Sequence, residues 1–341
     1  MTDRPLLTVS DLQKRFNLEA GFFARFGRFV NAVNGVSFSV GRNESYGLVG
    51  ESGCGKTTTA RLLVRMYEAD GGEILYHRED GQTDVTSLRG KELKQYRRKI
   101  KYIFQDPARS LNPRLTVYEV LVSGLRWSLH TGEKNLREKA GAALEEVGME
   151  AADLERRPSE FSGGQRQRIS IARGLLPEPD LLICDEVVSA LDVSIQGQIL
   201  NLLLDIREKR EMSFLFIAHD LKVACYFCDR IGVMYSGVLM EEAPAADLWR
   251  EGLHPYTQML FSSATGICGE QENNHGVHGE FPSRSFTELK EENGKGVPDA
   301  ETSHCCAFAA RCPRAESRCF NEPVPVKEIA PGHSLRCHVA V

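Results

Sequence analysis

The stretch Gly50-Glu51-Ser52-Gly53-Cys54-Gly55-Lys56-Thr57 has the spacing GxxxxGK[ST]. It follows the apolar run YGLV and precedes TTTARLLVRM, which can start a helix, and in that context the spacing cradles phosphate. The glycines let the backbone curl until successive N–H groups and a helix N-terminus point at phosphate oxygens. Lys56 is then expected to hold the β and γ phosphates and the Thr57 hydroxyl to bind Mg²⁺, with Thr58 next in the loop and Cys54 a small filler. A second acidic centre lies in LLICDE, where four apolar residues deliver Asp185 and Glu186 to a strand end. Asp185 can hold Mg²⁺ through water, and Glu186 can polarise an attacking water as general base.

Such groups must be carried by strands that end together. Short apolar runs bounded by Gly or acidic residues alternate with segments of helical period, the pattern of an α/β fold with a mainly parallel sheet. The expected buried strands are Tyr46 to Val49, Ile100 to Phe104, Leu181 to Cys184 and Phe214 to Ala218. Each stops where a polar residue begins, and ligands in open α/β sheets bind beyond the carboxyl ends of strands. Between about 106 and 165 strand signals cease. Leu136, Ala140, Ala143, Leu144 and Val147 recur instead at helical spacing and predict a helical insert.

The segment FSGGQRQRISIAR, Phe161 to Arg173, closely resembles the signature motif of ABC-transporter ATPases. The remaining motifs of that family occur in the expected order: Gln105 in YIFQDP as the Q-loop, SALD ending at Asp192 as the D-loop, and His219 in FIAHD as the switch histidine. The resemblance spans roughly Leu6 to Glu242. It implies a P-loop NTPase (RecA-like) fold, bound ATP with Mg²⁺, and two subunits that sandwich two nucleotides head to tail. Ser162, Gly163, Gly164 and Gln165 would face the partner's nucleotide, since a hydroxyl and N–H donors at a helix N-terminus suit an anion. Gln105 would contact Mg²⁺ and report the γ phosphate to the insert, which touches membrane subunits, and His219 would contact that phosphate. Phe16 aligns with the family's base-stacking aromatic residue. Between Asn17 and Val30 an insert carries Phe22, Phe23, Phe26 and Phe29, readable as partner-facing, membrane-proximal or packed. Walker B usually continues Asp-Glu-Pro; here Val187 replaces Pro, which loses a fixed φ while keeping both carboxylates.

FQDPARSLNPRLTVYEV, HPYTQ at His254 to Gln258, GEFPS and CAFAARCPRAESRC resemble the oligopeptide/dipeptide permease branch, and the aromatic insert resembles its F-type ATPase subunit. That implies one half of an ATPase heterodimer on two transmembrane permease subunits, fed indirectly by an extracytoplasmic solute-binding protein. The chain would then sit peripherally on the cytoplasmic face of the inner or plasma membrane. Substrates in the branch range from peptides to nickel and other solutes. The rival class is a soluble ABC ATPase acting in translation or repair.

Composition sets outer limits. With 341 residues, 42% hydrophobic and 26% charged, the chain has room for an ATPase domain at 1–250 and an extension at 251–341, with a flexible linker at about 265–303. Net charge of −5 argues against a dedicated nucleic-acid binder, and no apolar run of about 18 residues would span a membrane. The N-terminus shows no secretory signal, so a reducing compartment is expected. Five of the ten cysteines lie from Cys305 onward. Cys306, Cys312, Cys319 and Cys337 are the expected thiolate ligands of a metal site at 304–341, with Cys305 spare. The resemblance implies a 4Fe-4S cluster; Zn²⁺ or no metal remain the alternatives. Cys184, Cys225, Cys228 and Cys268 read as packed apolar groups.

Overall fold

Strand register explains how motifs as far apart as Gly50 and His219 meet. The computed structural model describes residues 5–17, 29–78, 81–106, 110–123, 125, 133–250, 252–264 and 305–340. The expected linker at 265–303 and Phe22, Phe23 and Phe26 of the aromatic insert lie outside them.

Eight strands form the larger sheet. Its centre is parallel: β3 (Ser45–Val49) pairs with β8 (Ser213–Ala218), β8 with β7 (Leu181–Asp185) and β7 with β6 (Ile100–Ile103). Every residue of β3, β7 and β8 is buried, as expected of parallel strands covered on both faces. The pairings Val49↔Ala218, Asp185↔Ile217 and Ile103↔Cys184 bring the strands to a common end. Gly50, Gln105, Glu186 and His219 follow directly from that end. The one strand read too long is the first limb of the Q-loop: pairing stops at Ile103, and Phe104 is partly exposed.

Side chains alternate across this sheet with period two. Phe214, Phe216, Leu182 and Cys184 face a helical layer, whereas Leu215, Ile217, Leu181 and Ile183 face a second sheet. That second sheet comprises β1 (Leu7–Asn17), β2 (Phe29–Val40), β4 (Gly71–Arg78) and β5 (Gly81–Asp84), in the antiparallel order β2-β1-β4-β5. Phe38 stacks on Tyr46 of β3 at 5.0 Å and joins the two sheets. The sequence reading, which names one mainly parallel sheet, does not include this antiparallel layer.

Among the described residues the α-helices are α1 (Lys56–Leu63), α2 (Gly90–Lys99), α3 (Val117–Val122), α4 (Glu133–Glu146), α5 (Gly163–Leu175), α6 (Val193–Arg210), α7 (Leu221–Phe227), α8 (Ala245–Arg250), α9 (Pro255–Ala264) and α10 (Ser317–Asn321). Helices α3 and α4 stand between β6 and β7, where the insert was expected. A reciprocal cap starts α3: the Thr116 hydroxyl accepts from the Glu119 N–H at 3.2 Å, and Glu119 Oε2 accepts from the Thr116 N–H at 2.9 Å. Leu136, Ala140, Ala143 and Leu144 form the buried stripe of α4. An ion pair between Arg210 and Glu146, with Nε at 2.6 Å from Oε1, ties the end of α6 to the end of α4.

After β9 (Arg230–Tyr235) and β10 (Val238–Pro244), the sheet continues with segments from the far C-terminus. β12 (His333–Arg336) pairs antiparallel with β10, and β11 (Val326–Ala330) pairs with β12. The tail is thus part of the larger sheet. Buried Glu241 fastens it: its carboxylate accepts the N–H groups of Leu253 at 2.9 Å and His254 at 3.0 Å, and His333 Nε2 lies 2.8 Å from its Oε1. Three partners satisfy a carboxylate that would otherwise be costly to bury.

Candidate functional site

The phosphate loop is held by its neighbours as well as by its glycines. Gly55 has φ +109, and a Cβ there would stand 2.1 Å from the Ala32 carbonyl oxygen of β2. Gly50 meets the Met234 carbonyl of β9 at the same separation, so neither position admits a larger residue. Lys56 is 4% exposed and folds back into the loop, with Nζ 2.6 Å from Gly50 O and 2.9 Å from Glu51 O. Nζ also lies 3.7 Å from Cys54 Sγ. Burial raises the Cys54 thiol above its usual range, outweighing the lowering effect of Lys56, and keeps it a packing group.

Thr57 Oγ1 donates to Asp185 Oδ1 at 3.0 Å, across the gap between α1 and β7. Asp185 is 3% exposed, and its other oxygen accepts from the Tyr102 hydroxyl of β6. A hydroxyl and a carboxylate, both hard oxygen donors at the mouth of a phosphate loop, fit Mg²⁺. One residue on, Glu186 adopts the left-handed conformation with φ +49, a strained choice for a non-glycine residue. Its N–H donates to Ile217 O at 3.1 Å and its carbonyl accepts from the Ser189 hydroxyl at 2.9 Å, which fix the turn. The kink aims the carboxylate at Gln105, whose Nε2 donates to Glu186 Oε2 at 2.6 Å. Glu186, Ser189, Gln196 and His219 line one small cavity of about 50 Å³. Loop, paired carboxylates, glutamine and histidine therefore converge at one end of the sheet.

Ser162, Gly163, Gly164 and Gln165 form a separate feature. Ser162 caps α5, its hydroxyl accepting from the Gln165 N–H at 3.3 Å, while Gln165 Oε1 accepts from the Ser162 N–H at 2.9 Å. Gly164 leaves room for Ile195: a Cβ would meet Ile195 Cγ2 at 2.9 Å, so the helix start packs on the segment beginning at Asp192. Asp192 is the residue before α6, and Val193 beside it is 84% exposed. The same surface thus carries an anion-suited helix end and an apolar side chain.

Phe16 is half-buried on β1, edge-on to Tyr67 at 5.3 Å, with Lys14 Nζ 5.5 Å from its ring. Tyr67 was not singled out in the sequence; neither was Tyr102, because a tyrosine within an apolar strand reads as core. Tyr256 and Arg311 were also missed. The Glu51 N–H donates to Tyr256 Oη at 2.8 Å, and Arg311 holds the Glu51 carboxylate with a two-armed ion pair at 2.8 and 2.9 Å. The signal for Tyr256 was the HPYTQ motif itself.

Between the Q-loop and the insert lies a cleft of about 570 Å³, lined by Tyr102, Phe104, Gln105, Leu121 and Arg173 among others. Arg173 donates to Ser110 O at 2.8 Å, and burial lowers the guanidinium's pKa.

Among the described residues no group of three or more His, Cys, Asp or Glu is placed to hold a metal ion. Cys306, Cys312, Cys319 and Cys337 are nevertheless neighbours: the Cys306 N–H donates to Cys319 O at 3.0 Å. Burial first, and the other three thiols after a backbone hydrogen bond that opposes them, push Cys306 up to about 11. Thiol donors of the right chemistry are gathered, but among the described residues they are not spaced as ligands. All described cysteines are free, and Cys184 and Cys228 are buried with raised thiol pKa values, as packing groups would be.

Comparison with known proteins covers both halves of the chain. The family described as ABC transporter matches residues 33–189, and the oligopeptide/dipeptide transporter C-terminal region matches residues 240–319. A putative peptide import ATP-binding protein of Brucella ovis is 39% identical over 99% of this chain and 98% of its own length. The oligopeptide transport ATP-binding protein AppF of Bacillus subtilis is 40% identical over 98% of this chain and 97% of its own. Among solved structures, cbiO1 of Clostridium perfringens, part of the ABC transporter complex cbiONQ, matches with TM-score 0.62 and 25% identity, over 73% of this chain and 92% of its own. A dimeric, post-hydrolysis ATP-binding cassette bound to ADP and Pi, MJ0796, matches with TM-score 0.60 and 25% identity, over 70% of this chain and 98% of its own.

Proposed function

The chain belongs to the ABC transporter ATPases, in the branch that carries the oligopeptide/dipeptide transporter C-terminal region, and from that premise we propose how its residues hydrolyse ATP and what they drive. It is the ATP-hydrolysing subunit of a peptide importer. The observation that carries the reaction is the convergence of Lys56, Thr57, Asp185, Glu186 and His219 beyond the carboxyl ends of β3, β7 and β8. The loop N–H groups and Lys56 hold the β and γ phosphates, for which Nζ must leave Gly50 O and Glu51 O. Thr57, Asp185 and Gln105 would hold Mg²⁺ through their oxygens, and the bound ion would offset phosphate charge. Glu186 takes the proton of a water whose oxygen bonds to the γ phosphorus, while the bond to the bridging oxygen breaks and leaves ADP and phosphate. Gln105 donates to Glu186 Oε2 at 2.6 Å and leaves its other acceptor sites for the water, and His219 contacts the γ phosphate.

The partner's Ser162-to-Gln165 end and Asp192 close each nucleotide, which exposed Val193 and the anion-suited start of α5 support. A distinct second ATPase subunit completes the dimer, and two permease subunits dock beside the helical insert, the binding protein acting through them. The chain works at the cytoplasmic face, and none of its described helices is long and apolar enough to cross a membrane. Phe16 supplies the adenine stack. The segment to about residue 250 is the ATPase unit, and 251–341 is its branch-specific extension.

Reconstitution with a permease pair, partner ATPase and binding protein tests this: peptide is expected to stimulate hydrolysis. Stimulation by nickel but not peptide would redirect the substrate, and stable association with ribosomes or DNA in place of permeases would remove the importer reading. A thiolate-bound metal, 4Fe-4S before Zn²⁺, has support only from the gathered donors Cys306, Cys312, Cys319 and Cys337. Anaerobic purification followed by iron, sulfide and zinc analysis decides it, protein free of all three removing both metals.

A further inference from the structure

The extension reaches the phosphate loop through one side chain. Arg311 lies in CAFAARC and ends its helical turn (Ala309–Arg311) with Nη1 at 2.8 Å from Glu51 Oε2 and Nη2 at 2.9 Å from Oε1. This parallel fork is the strongest geometry an arginine offers a carboxylate. The guanidinium is itself held: Tyr235 of β9 lies 3.4 Å from Nη1 and Met259 Sδ of α9 3.8 Å from Nη2. Phe308, three residues earlier, is 1% exposed and sits 5.3 Å from both the Tyr235 and Tyr256 rings. Tyr256 in turn accepts the Glu51 N–H. Both the backbone and the side chain of Glu51 are therefore fixed by residues of the extension.

Glu51 places a negative charge inside a loop built to receive a polyanion. Left unpaired, that charge opposes the phosphates; paired with Arg311, it is cancelled. We propose that Arg311 is a positioning residue for the phosphate loop, neutralising and orienting Glu51, so that the C-terminal extension sets the affinity of the nucleotide site. The inference rests on the reading of Gly50 to Thr57 as that site.

The test is titration of the full chain with a fluorescent, non-hydrolysable ATP analogue and Mg²⁺, with KM and kcat for ATP measured alongside. Arg311→Met is expected to weaken binding about tenfold, with KM rising in parallel and kcat changing less than about threefold. Adding Glu51→Gln to Arg311→Met removes the unpaired charge and is expected to restore most of the affinity. Arg311→Lys, which keeps the charge, falls near the unaltered chain, whereas Arg311→Gln falls near Arg311→Met; this pair decides the matter if Arg311→Met does not fold. Unchanged affinity in Arg311→Met and Arg311→Gln overturns the proposal, as does a double variant no tighter than Arg311→Met, which would reduce Arg311 to packing. Lys56→Ala separates the two readings. If it binds the analogue as tightly as the unaltered chain, the assigned site is wrong; if it loses binding while Arg311→Met and Arg311→Gln do not, only the role of Arg311 fails.

Discussion

Gln105 Nε2 stands 2.6 Å from Glu186 Oε2, so the Q-loop amide covers the carboxylate assigned to activate water. That contact takes one acceptor site of Oε2 and leaves the other acceptor sites of the carboxylate for a water. A shift of the Q-loop would therefore change a contact made directly with the proposed base.

Replacing that carboxylate isolates the chemical step. Glu186→Gln keeps the shape but removes the base, and the steady-state ATPase rate is expected to fall by about 10² to 10⁴ while ATP stays bound. Measurement of turnover and of the nucleotide retained after gel filtration checks both halves. An unaltered rate would take Glu186 out of its role.

Asp185 holds two hydroxyls, those of Thr57 and Tyr102, in a buried position. Asp185→Asn keeps the hydrogen-bonding size but loses the anion. The Mg²⁺ concentration for half-maximal ATPase is expected to rise roughly tenfold or more, with melting temperature in the absence of metal little changed.

Glu241 accepts from two backbone N–H groups and faces His333. Glu241→Ala strands those donors, at a cost of about 2 to 4 kcal/mol. Hydrogen exchange is expected to report lost protection first in β12 and at Leu253 and His254, before the parallel centre of the sheet opens. Uniform loss throughout would count against a local fastening role.

His254 gives a pH signature. Burial lowers its pKa to about 4, against the favourable nearby charge of Glu241, so the folded chain keeps the ring neutral where the unfolded chain, near 6.5, takes up a proton. The unfolded state therefore binds more protons between these values, and this residue's contribution makes stability fall as pH drops from about 6.5 toward 4. The chain bearing His254→Asn, which cannot titrate, is expected to show a shallower decline in melting temperature across that interval.

Local pattern made part of this molecule legible. GESGCGKT announces its loop because φ +109 at Gly55 and the close approach of Ala32 O demand the glycine that the motif supplies. LLICD and SFLFIA read as buried strands since both faces of each are covered. The antiparallel layer was harder: β1 alternates buried Leu7, Val9 and Leu12 with polar residues and is broken by register shifts, which blurs its period. Arg311 and Glu51 are 260 residues apart, and nothing at either position alone points to the other. The four late cysteines were legible as a group, but their spacing in the fold depends on packing that spacing in sequence does not encode.

One further property follows from the pairing of β12 with β10. The hairpin pairs with β10 at Glu241 and Glu242, and the sheet ends on that side at β11, a short strand whose every residue is exposed and which sets Lys327 and Glu328 between Val326 and Ile329. Charges on a short border strand discourage other chains from adding to it. A chain cut after Arg250 would lose that border, and the longer β10 would present open N–H and C=O groups. Self-association and insolubility of such a fragment would therefore report an uncovered sheet border and not an unstable ATPase core.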